Sequence, residues 1–359
     1  MARRRLAAVA LAAGVLVAPA GMAKLPPVAA TAASTVPDPQ DDRVRRVVAI
    51  SVDGLSPTAI RRLGRAGTPS LHRMIARGAS TLDARTLRES TSTLPNHTGM
   101  VTGRRVSASA GGHGVVVNND DGTTVHDAAG EYVHSVFDVV HDHGGTTALY
   151  AGKTKFDLLD RSWNTAYGAP DGVQPDHGPD KIDGYLPRLR TGLLVSLLVR
   201  QLRQDPATFT FLHLRLPDSA GHRYGYLSRP YLRAVRRTDA LVGRVLATVN
   251  RERSLRRHTA VVLTADHGGH GGDGSRAHGD PWRPGNYRIP FLAWGATVAR
   301  GADLYALNPD RHRPGPRRTG YRGRQPVRNA DLANLATDLL DLPAVPGSRL
   351  NQRADLDVH

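Results

Sequence analysis

The sequence predicts an α/β domain with a mostly parallel central sheet and helices on both faces. Three observations predict it. Short apolar runs of strand length recur along the chain, helical stretches alternate with them, and acidic residues stand where several runs end. The first run, Arg46 to Val52, is β-rich and ends in Asp53-Gly54, which puts Asp53 at a strand's carboxyl end. Pro57 to Arg65 and Thr68 to Arg77 then read as helices. Ser90 to Met100 is a loop-to-helix stretch containing Thr93. The strand candidates Ala148 to Ala151, Thr208 to Leu214 and Thr259 to Thr264 follow the helical stretches Tyr132 to His143, Leu193 to Gln204 and Tyr231 to Arg251. Gly103 to Thr124 and Gly152 to Pro187 are loop-rich. Asn329 to Leu342 reads as an amphipathic helix, and Pro343 to Ser348 as a turn.

The 359 residues suffice for one large α/β domain, and an apolar content of 40% supplies a full core. Residues 1–23 read as an export signal: Arg3-Arg4-Arg5, an apolar stretch from Leu6 to Val17, then small residues to Ala23. Residues 24–42 are Ala-, Pro- and Thr-rich and read as a disordered tether, leaving 43–359 as the folded domain. The expected location is therefore secreted or in a bacterial cell envelope, with no stable membrane insertion after cleavage. The absence of Cys excludes disulfides and thiolate metal sites. The formal charge of +16 is mostly scattered Arg, a solvated surface that also attracts anionic substrates. Nothing in the sequence reads as a dedicated nucleic-acid module.

Four short stretches carry chemistry: Asp53-Gly54, Thr93-Leu94-Pro95-Asn96-His97, Asp218-x3-His222 and Asp266-His267-Gly268, with a further His278 downstream. Asp53, Asp218 and Asp266 lie at or just past strand ends, where ligands gather in such sheets. The spacing of Asp218 and His222 places both on one helix face, as a chelating pair requires. Asp266-His267 offers an oxygen and an imidazole side by side. Thr93 at a helix start faces unpaired N–H groups, which favour an anion beside it. Together they supply oxygen and imidazole ligands for two divalent ions and a hydroxyl nucleophile. Three His and three Asp favour zinc, and manganese also suits them.

These residues resemble the alkaline phosphatase superfamily, and within it the type I phosphodiesterase/nucleotide pyrophosphatase branch. The resemblance runs from about Arg46 to Leu350. It implies an alkaline phosphatase-like fold, Thr93 as nucleophile, and a phosphoric ester hydrolase acting through a covalent phospho-enzyme on a small anionic phosphate ester. It implies Asp53, Thr93, Asp266 and His267 around one zinc, and Asp218, His222 and a later His around the other. His278 fits that last place by position, with His270 the alternative. After His113-Gly114, Asn118 matches the residue that the family sets on the phosphate. Ala151-Gly152-Lys153-Thr154-Lys155-Phe156 resembles the Gly-Lys segment beside the active site, giving Lys153 and Lys155 as substrate-binding candidates.

Two departures bear on substrate. Ten residues separate His267 from His278, fewer than nucleotide-cleaving members carry there, and only 5% of residues are aromatic, so no base-stacking pocket is evident. A phosphate monoesterase, or a phosphonate hydrolase of the phosphonoacetate type, is the alternative reaction. A non-enzymatic anion-binding envelope protein is the alternative of another class. A sulfatase needs Cys or Ser where Thr93 stands, and Arg where His97 stands.

Overall fold

A computed structural model describes residues 43–172 and 178–359. The export signal and tether expected over residues 1–42 lie outside the described residues. In chain order the elements are β1 (Arg46–Val52), α1 (Pro57–Gly67), α2 (Pro69–Arg77), β2 (Ala79–Arg85), α3 (Thr93–Thr102), α4 (Val125–Ala129) and α5 (Val136–Asp142). There follow β3 (Thr147–Ala151), α6 (Asp157–Ser162), β4 (Gly184–Pro187), α7 (Thr191–Gln204), β5 (Phe209–Leu214), α8 (Leu216–Tyr224), α9 (Arg229–Arg251) and α10 (Arg253–His258). The chain closes with β6 (Thr259–Thr264), α11 (Pro284–Tyr287), β7 (Arg288–Gly295), β8 (Ala302–Asp303), α12 (Leu304–Leu307) and α13 (Leu332–Leu339).

The strands form one sheet in the order β4-β3-β5-β1-β6-β7-β2-β8. β1 lies at its centre, parallel to β5 on one side and β6 on the other. β3, β5 and β6 are buried along their whole length, as expected for strands covered on both faces. Among the described residues only β7 runs against its neighbours, pairing antiparallel with β6 and β2. The helices fall into two packed groups: α9 with α1, α2, α7, α8 and α10, and α13 with α3 and α5. The expected fold class holds. Helix α9 shows why: its buried Tyr231, Val235, Thr238, Val242, Val245 and Val249 recur at three- and four-residue steps, one apolar stripe. Each such side chain removed from water contributes roughly 1.5–3 kcal/mol. Among the described residues no helix is long and apolar enough to cross a membrane.

The structure departs from the sequence reading at several edges. Strands β2, β4, β7 and the two-residue β8 stand outside the expected set, and β4 with α6 lies inside the stretch read as loop from Gly152 to Pro187. The helix expected from Tyr132 begins only at Val136. Ser135 and Asp138 form a reciprocal cap there, and that cap fixes the start. The last helix ends at Leu339 rather than Leu342, because Asp341 turns with φ of 59° and Leu342 N–H returns to Thr337 O.

Candidate metal centre

Parallel pairing of β5, β1 and β6 brings three carboxyl ends together, and the candidate ligands stand on them. Asp53 follows β1. Its N–H donates to Leu214 O at the end of β5, 3.0 Å away, and its carbonyl accepts the Asp218 N–H at 3.1 Å. Asp266 and His267 follow β6 by two and three residues. Gly54 closes this arrangement. Its φ is +69°, its N–H donates to Asp266 Oδ1 at 3.0 Å, and a Cβ on it would stand 3.0 Å from Asp218 Cα. Asp53-Gly54 is therefore a turn and part of the site at once.

The ligand atoms form two groups with His267 in both. Asp53, Asp266 and His267 bring one atom each within 4.8 Å of one another, and so do Asp218, His267 and His278. His267 Nε2 lies 3.4 Å from Asp53 Oδ1, 3.2 Å from Asp266 Oδ2 and 3.8 Å from Asp218 Oδ1. His278 Nε2 is 3.7 Å from Asp218 Oδ1, and its ring stacks on that of His267 at 3.5 Å. His222 joins from the half-exposed side, its Nε2 3.4 Å from Asp218 Oδ1 and 3.1 Å from His278 Nε2. His270 stands apart, paired with Asp273 at 3.1 Å. Of the two candidates for the last imidazole, the structure brings His278 to the cluster.

The unused atoms show what the centre fits. Asp53 Oδ1, Asp266 Oδ2 and His267 Nε2 are buried without a hydrogen-bond partner. Such atoms are ordinarily satisfied, because desolvating them without a partner is unfavourable. The opposite atom of each residue is engaged. Asp266 Oδ1 takes the Gly54 N–H. Asp53 Oδ2 meets Lys153 Nζ at 2.6 Å and His213 Nε2 at 2.9 Å. His267 and His278 give their Nδ1–H to the carbonyls of Gly268 and Thr91, each at 2.7 Å, which turns Nε2 inward. That is the orientation of a metal-binding imidazole. The residues fit a pair of divalent cations.

The electrostatics agree with this crowding. Burial alone would raise the Asp53 carboxyl, yet Lys153, the bond from His213 and the nearby His267 hold it well below the usual range. Burial and then the Asp53 charge push Asp266 up to about 7. Burial opposes the charged form of His267, but Asp266, Asp53 and Asp218 push it up to about 9. Burial, helped by the nearby His267, drives His278 down to about 3.

Thr93 is the first residue of α3, whose Ser92 cap makes no side-chain bond and whose first turn has no acidic residue. The Thr93 carbonyl accepts from His97 Nδ1 at 2.7 Å, and that nitrogen is 3.7 Å from Asp266 Oδ2. That imidazole also pins the helix start to β1, its Nε2 accepting from Ser51 Oγ at 2.8 Å. Asn118 Oδ1 accepts the Leu94 N–H at 3.0 Å, and Lys155 Nζ bonds the Asn118 carbonyl. Asn118 and Lys155 therefore meet at the N-terminus of α3. Lys153 sits among the ligand carboxylates, bonding Asp53 and, at 2.7 Å, Asp218. Asn96 locks the helix in place, its Oδ1 accepting from Leu87 N–H and Asn329 Nδ2 at 3.0 Å each.

Two contributors escaped the sequence reading. His213 is buried, accepts the Gly152 N–H on Nδ1 at 3.2 Å and so carries its proton on Nε2, toward Asp53. Tyr226 donates to Asp218 Oδ1 at 2.6 Å. A lone His inside the apolar run of β5 was the available signal for the first; nothing marked the second. A third cluster, His141, Asp142 and Asp171, is bridged by Lys181, whose Nζ lies 2.8 Å from both carboxylates, and reads as an ion-pair network.

Known proteins resemble this chain in sequence and in fold. GPI ethanolamine phosphate transferase 1 of Yarrowia lipolytica is 39% identical over 102 residues, covering 27% of this chain and 10% of its own length. The Saccharomyces cerevisiae protein of that name is 34% identical over 155 residues, covering 41% and 15%. The chain thus spans a small part of these curated relatives. Murine ectonucleotide pyrophosphatase/phosphodiesterase 5, solved in an inactive form with AMP, superposes with a TM-score of 0.57 at 15% identity, over 84% of this chain and 96% of that one. Its human counterpart gives 0.58 at 15% identity, over 87% and 99%, and both likenesses concern the fold. The sequence pattern of the family described as type I phosphodiesterase/nucleotide pyrophosphatase matches residues 47–319, a span that takes in β1, α3 and every candidate ligand. By that match the chain is a member of the type I phosphodiesterase/nucleotide pyrophosphatase family, within the alkaline phosphatase superfamily.

Proposed function

We propose that this chain hydrolyses phosphate esters, phosphodiesters foremost, through a covalent intermediate on Thr93. The observation that carries the reading is the trio of buried, unpartnered atoms, Asp53 Oδ1, Asp266 Oδ2 and His267 Nε2, beside a helix start that bears a hydroxyl. Asp53, Thr93, Asp266 and His267 would hold one divalent ion and Asp218, His222 and His278 the other, zinc by their donor set. Bound there, two such ions supply positive charge to a phosphate and make a nearby hydroxyl more acidic.

The protein's own residues do the rest. The α3 N-terminus, with Asn118 and Lys155 beside it, receives the anionic oxygens of a small phosphate ester. Thr93 Oγ1 forms a bond to phosphorus as the bond to the leaving alcohol breaks. The hydroxyl proton passes through water to the departing oxygen, which leaves as the alcohol. Water then adds to phosphorus and frees Thr93. His97, bonded to the Thr93 carbonyl and to Ser51 Oγ of β1, pins the helix start to the strand that carries Asp53, so nucleophile and ligand carboxylate keep one geometry.

The test is kcat/KM of zinc-loaded protein on a bis-aryl phosphate diester beside the matching monoester. The diester should be preferred, and chelator should abolish turnover. Thr93→Ala should lose on the order of 10³-fold or more in rate. A monoester preference, or near wild-type turnover by Thr93→Ala, overturns the reading. The relatives named ethanolamine phosphate transferase favour a second reading, in which an alcohol takes the place of water in the last step. Partition of product between hydrolysis and alcoholysis at rising alcohol concentration decides it. Export follows the same proposal, from the basic and apolar pattern of residues 1–23.

A further inference from the structure

Beside the metal centre, at the carboxyl ends of β4 and β5, lies a cavity of about 710 Å³. Its lining includes Arg190, Arg215 and Arg237 and no acidic residue. Arg215 is held by Leu189 O and Ser219 Oγ at 3.0 and 3.2 Å. Arg190 and Arg237 are exposed and make no ion pair or side-chain hydrogen bond among the described residues. Three cations thus line one cavity without a carboxylate, a wall that favours an anion.

The backbone adds to it. Arg190 caps the 14-residue helix α7, makes no side-chain bond to it, and precedes a first turn without acidic residues. The Thr191 and Gly192 N–H groups have no acceptor among the described residues, so the helix presents bare donors. Thr191, in the cavity wall, is only 4% exposed, and its hydroxyl has no partner. Leu189 and Leu193, also in the wall, are 54% and 46% exposed, large apolar side chains left in water beside the arginines.

We propose that this cavity is a second anion site, separate from the metal centre, that takes the phosphate group of a ligand bearing an apolar arm. The arginines and the α7 N-terminus hold the phosphate, and Leu189 and Leu193 cover the arm. Arg215 and Leu216 are shared with the segment that leads to Asp218, so an occupant stands next to the centre without using its ligands. Such a phosphate belongs either to the far end of the substrate or to a separate amphiphile. The chemistry is the same, and the proposal does not depend on the reaction assigned to Thr93.

The experiment is calorimetric titration of the full zinc-loaded chain with inorganic phosphate and with dihexanoyl phosphatidic acid, at constant ionic strength in acetate. Wild type should show a phosphate event that Arg190→Gln/Arg237→Gln weakens at least about tenfold, the worth of one good charge-assisted contact. Phosphatidic acid should bind the wild type more tightly than phosphate does, and Leu193→Ser should remove that difference. Competition between phosphatidic acid and the diester for turnover assigns the cavity to the substrate's far end; unchanged turnover assigns it to a separate ligand. A double variant that titrates like wild type, or acetate that displaces phosphate equally well, overturns the site.

Discussion

Replacing Gly54 by alanine tests whether the turn after β1 fixes the spacing of the ligand carboxylates. Two effects add. An L-residue held at a φ of +69° is strained by about 1–2 kcal/mol. The new methyl would also stand 3.0 Å from Asp218 Cα, 3.1 Å from its Cβ and 3.2 Å from its N, atoms of a helix start that cannot swing aside. Overpacking of that kind costs about 1–3 kcal/mol. The sum is roughly 2–5 kcal/mol. Gly122 supplies the control, since its φ is +87° and a Cβ there meets nothing within 4 Å. Gly122→Ala should therefore lose only the strain, about 1–2 kcal/mol. Urea unfolding of both variants gives the difference, expected to exceed about 1 kcal/mol. Zinc competition against a chromogenic chelator should show Gly54→Ala weakened by roughly 10-fold or more, because Asp218 and the Asp266 Oδ1 contact both move. Equal destabilisation of the two variants, with zinc affinity unchanged in both, would refute the argument.

Three further outcomes follow from the site. His278→Ala should lower zinc stoichiometry or affinity, measured by the same competition, while His270→Ala leaves both unchanged, since only His278 faces Asp218. His213→Leu removes one of the two partners of Asp53 Oδ2 and should weaken zinc about 10–100-fold, with His213→Gln partly restoring it. His113 anchors the loop ahead of Asn118; it is buried, accepts the Val115 N–H at 3.1 Å, and burial drives it from 6.5 down to about 3. The unfolded chain thus binds more protons between those values, so its contribution is full above about 6.5 and lost as pH falls toward about 3. His113→Gln should flatten that limb of stability against pH by a few kcal/mol at most, read from urea midpoints across the window.

The chemistry-bearing residue types were legible because each comes with a local pattern: Asp-Gly after an apolar run, a helical step between Asp218 and His222, Thr at a helix start. The central strands were legible for the same reason, since burial on both faces writes continuous apolar runs. What stayed hidden depends on partners distant in sequence. Strand β7 is antiparallel, and its direction is set by pairing with β6 and β2. The half-buried β4 lacks an apolar run and sits in a stretch rich in Gly, Pro and Asp. Lys153 reads from sequence as a substrate contact, yet its ammonium lies between Asp53 and Asp218. No local pattern foretells that, because the two carboxylates are separated by 165 residues of numbering and meet only when β5 pairs with β1.

That placement of Lys153 bears on why the centre suits phosphate. Three buried carboxylates against one lysine leave the site negative, and buried uncompensated charge is strongly unfavourable. The titrations answer that imbalance: Asp266 rises to about 7 and His267 to about 9, so protons gather where charge is short. Protons can neutralise such a site but cannot reverse its sign. Two divalent cations on the same atoms would, turning a pocket that repels anions into one that draws them, with the α3 N-terminus adding its own partial positive charge. Lys153 then keeps Asp53 Oδ2 and Asp218 Oδ2 occupied, which leaves Asp53 Oδ1, and Asp218 Oδ1 beside its Tyr226 bond, for such ions. On this argument Lys153→Met should leave zinc affinity equal or higher, since a competing cation is gone, yet lower turnover, since Asp218 becomes free to bind with either oxygen while His213 alone still holds Asp53 Oδ2. Weaker zinc binding with turnover unchanged would show the lysine to be a mere spacer.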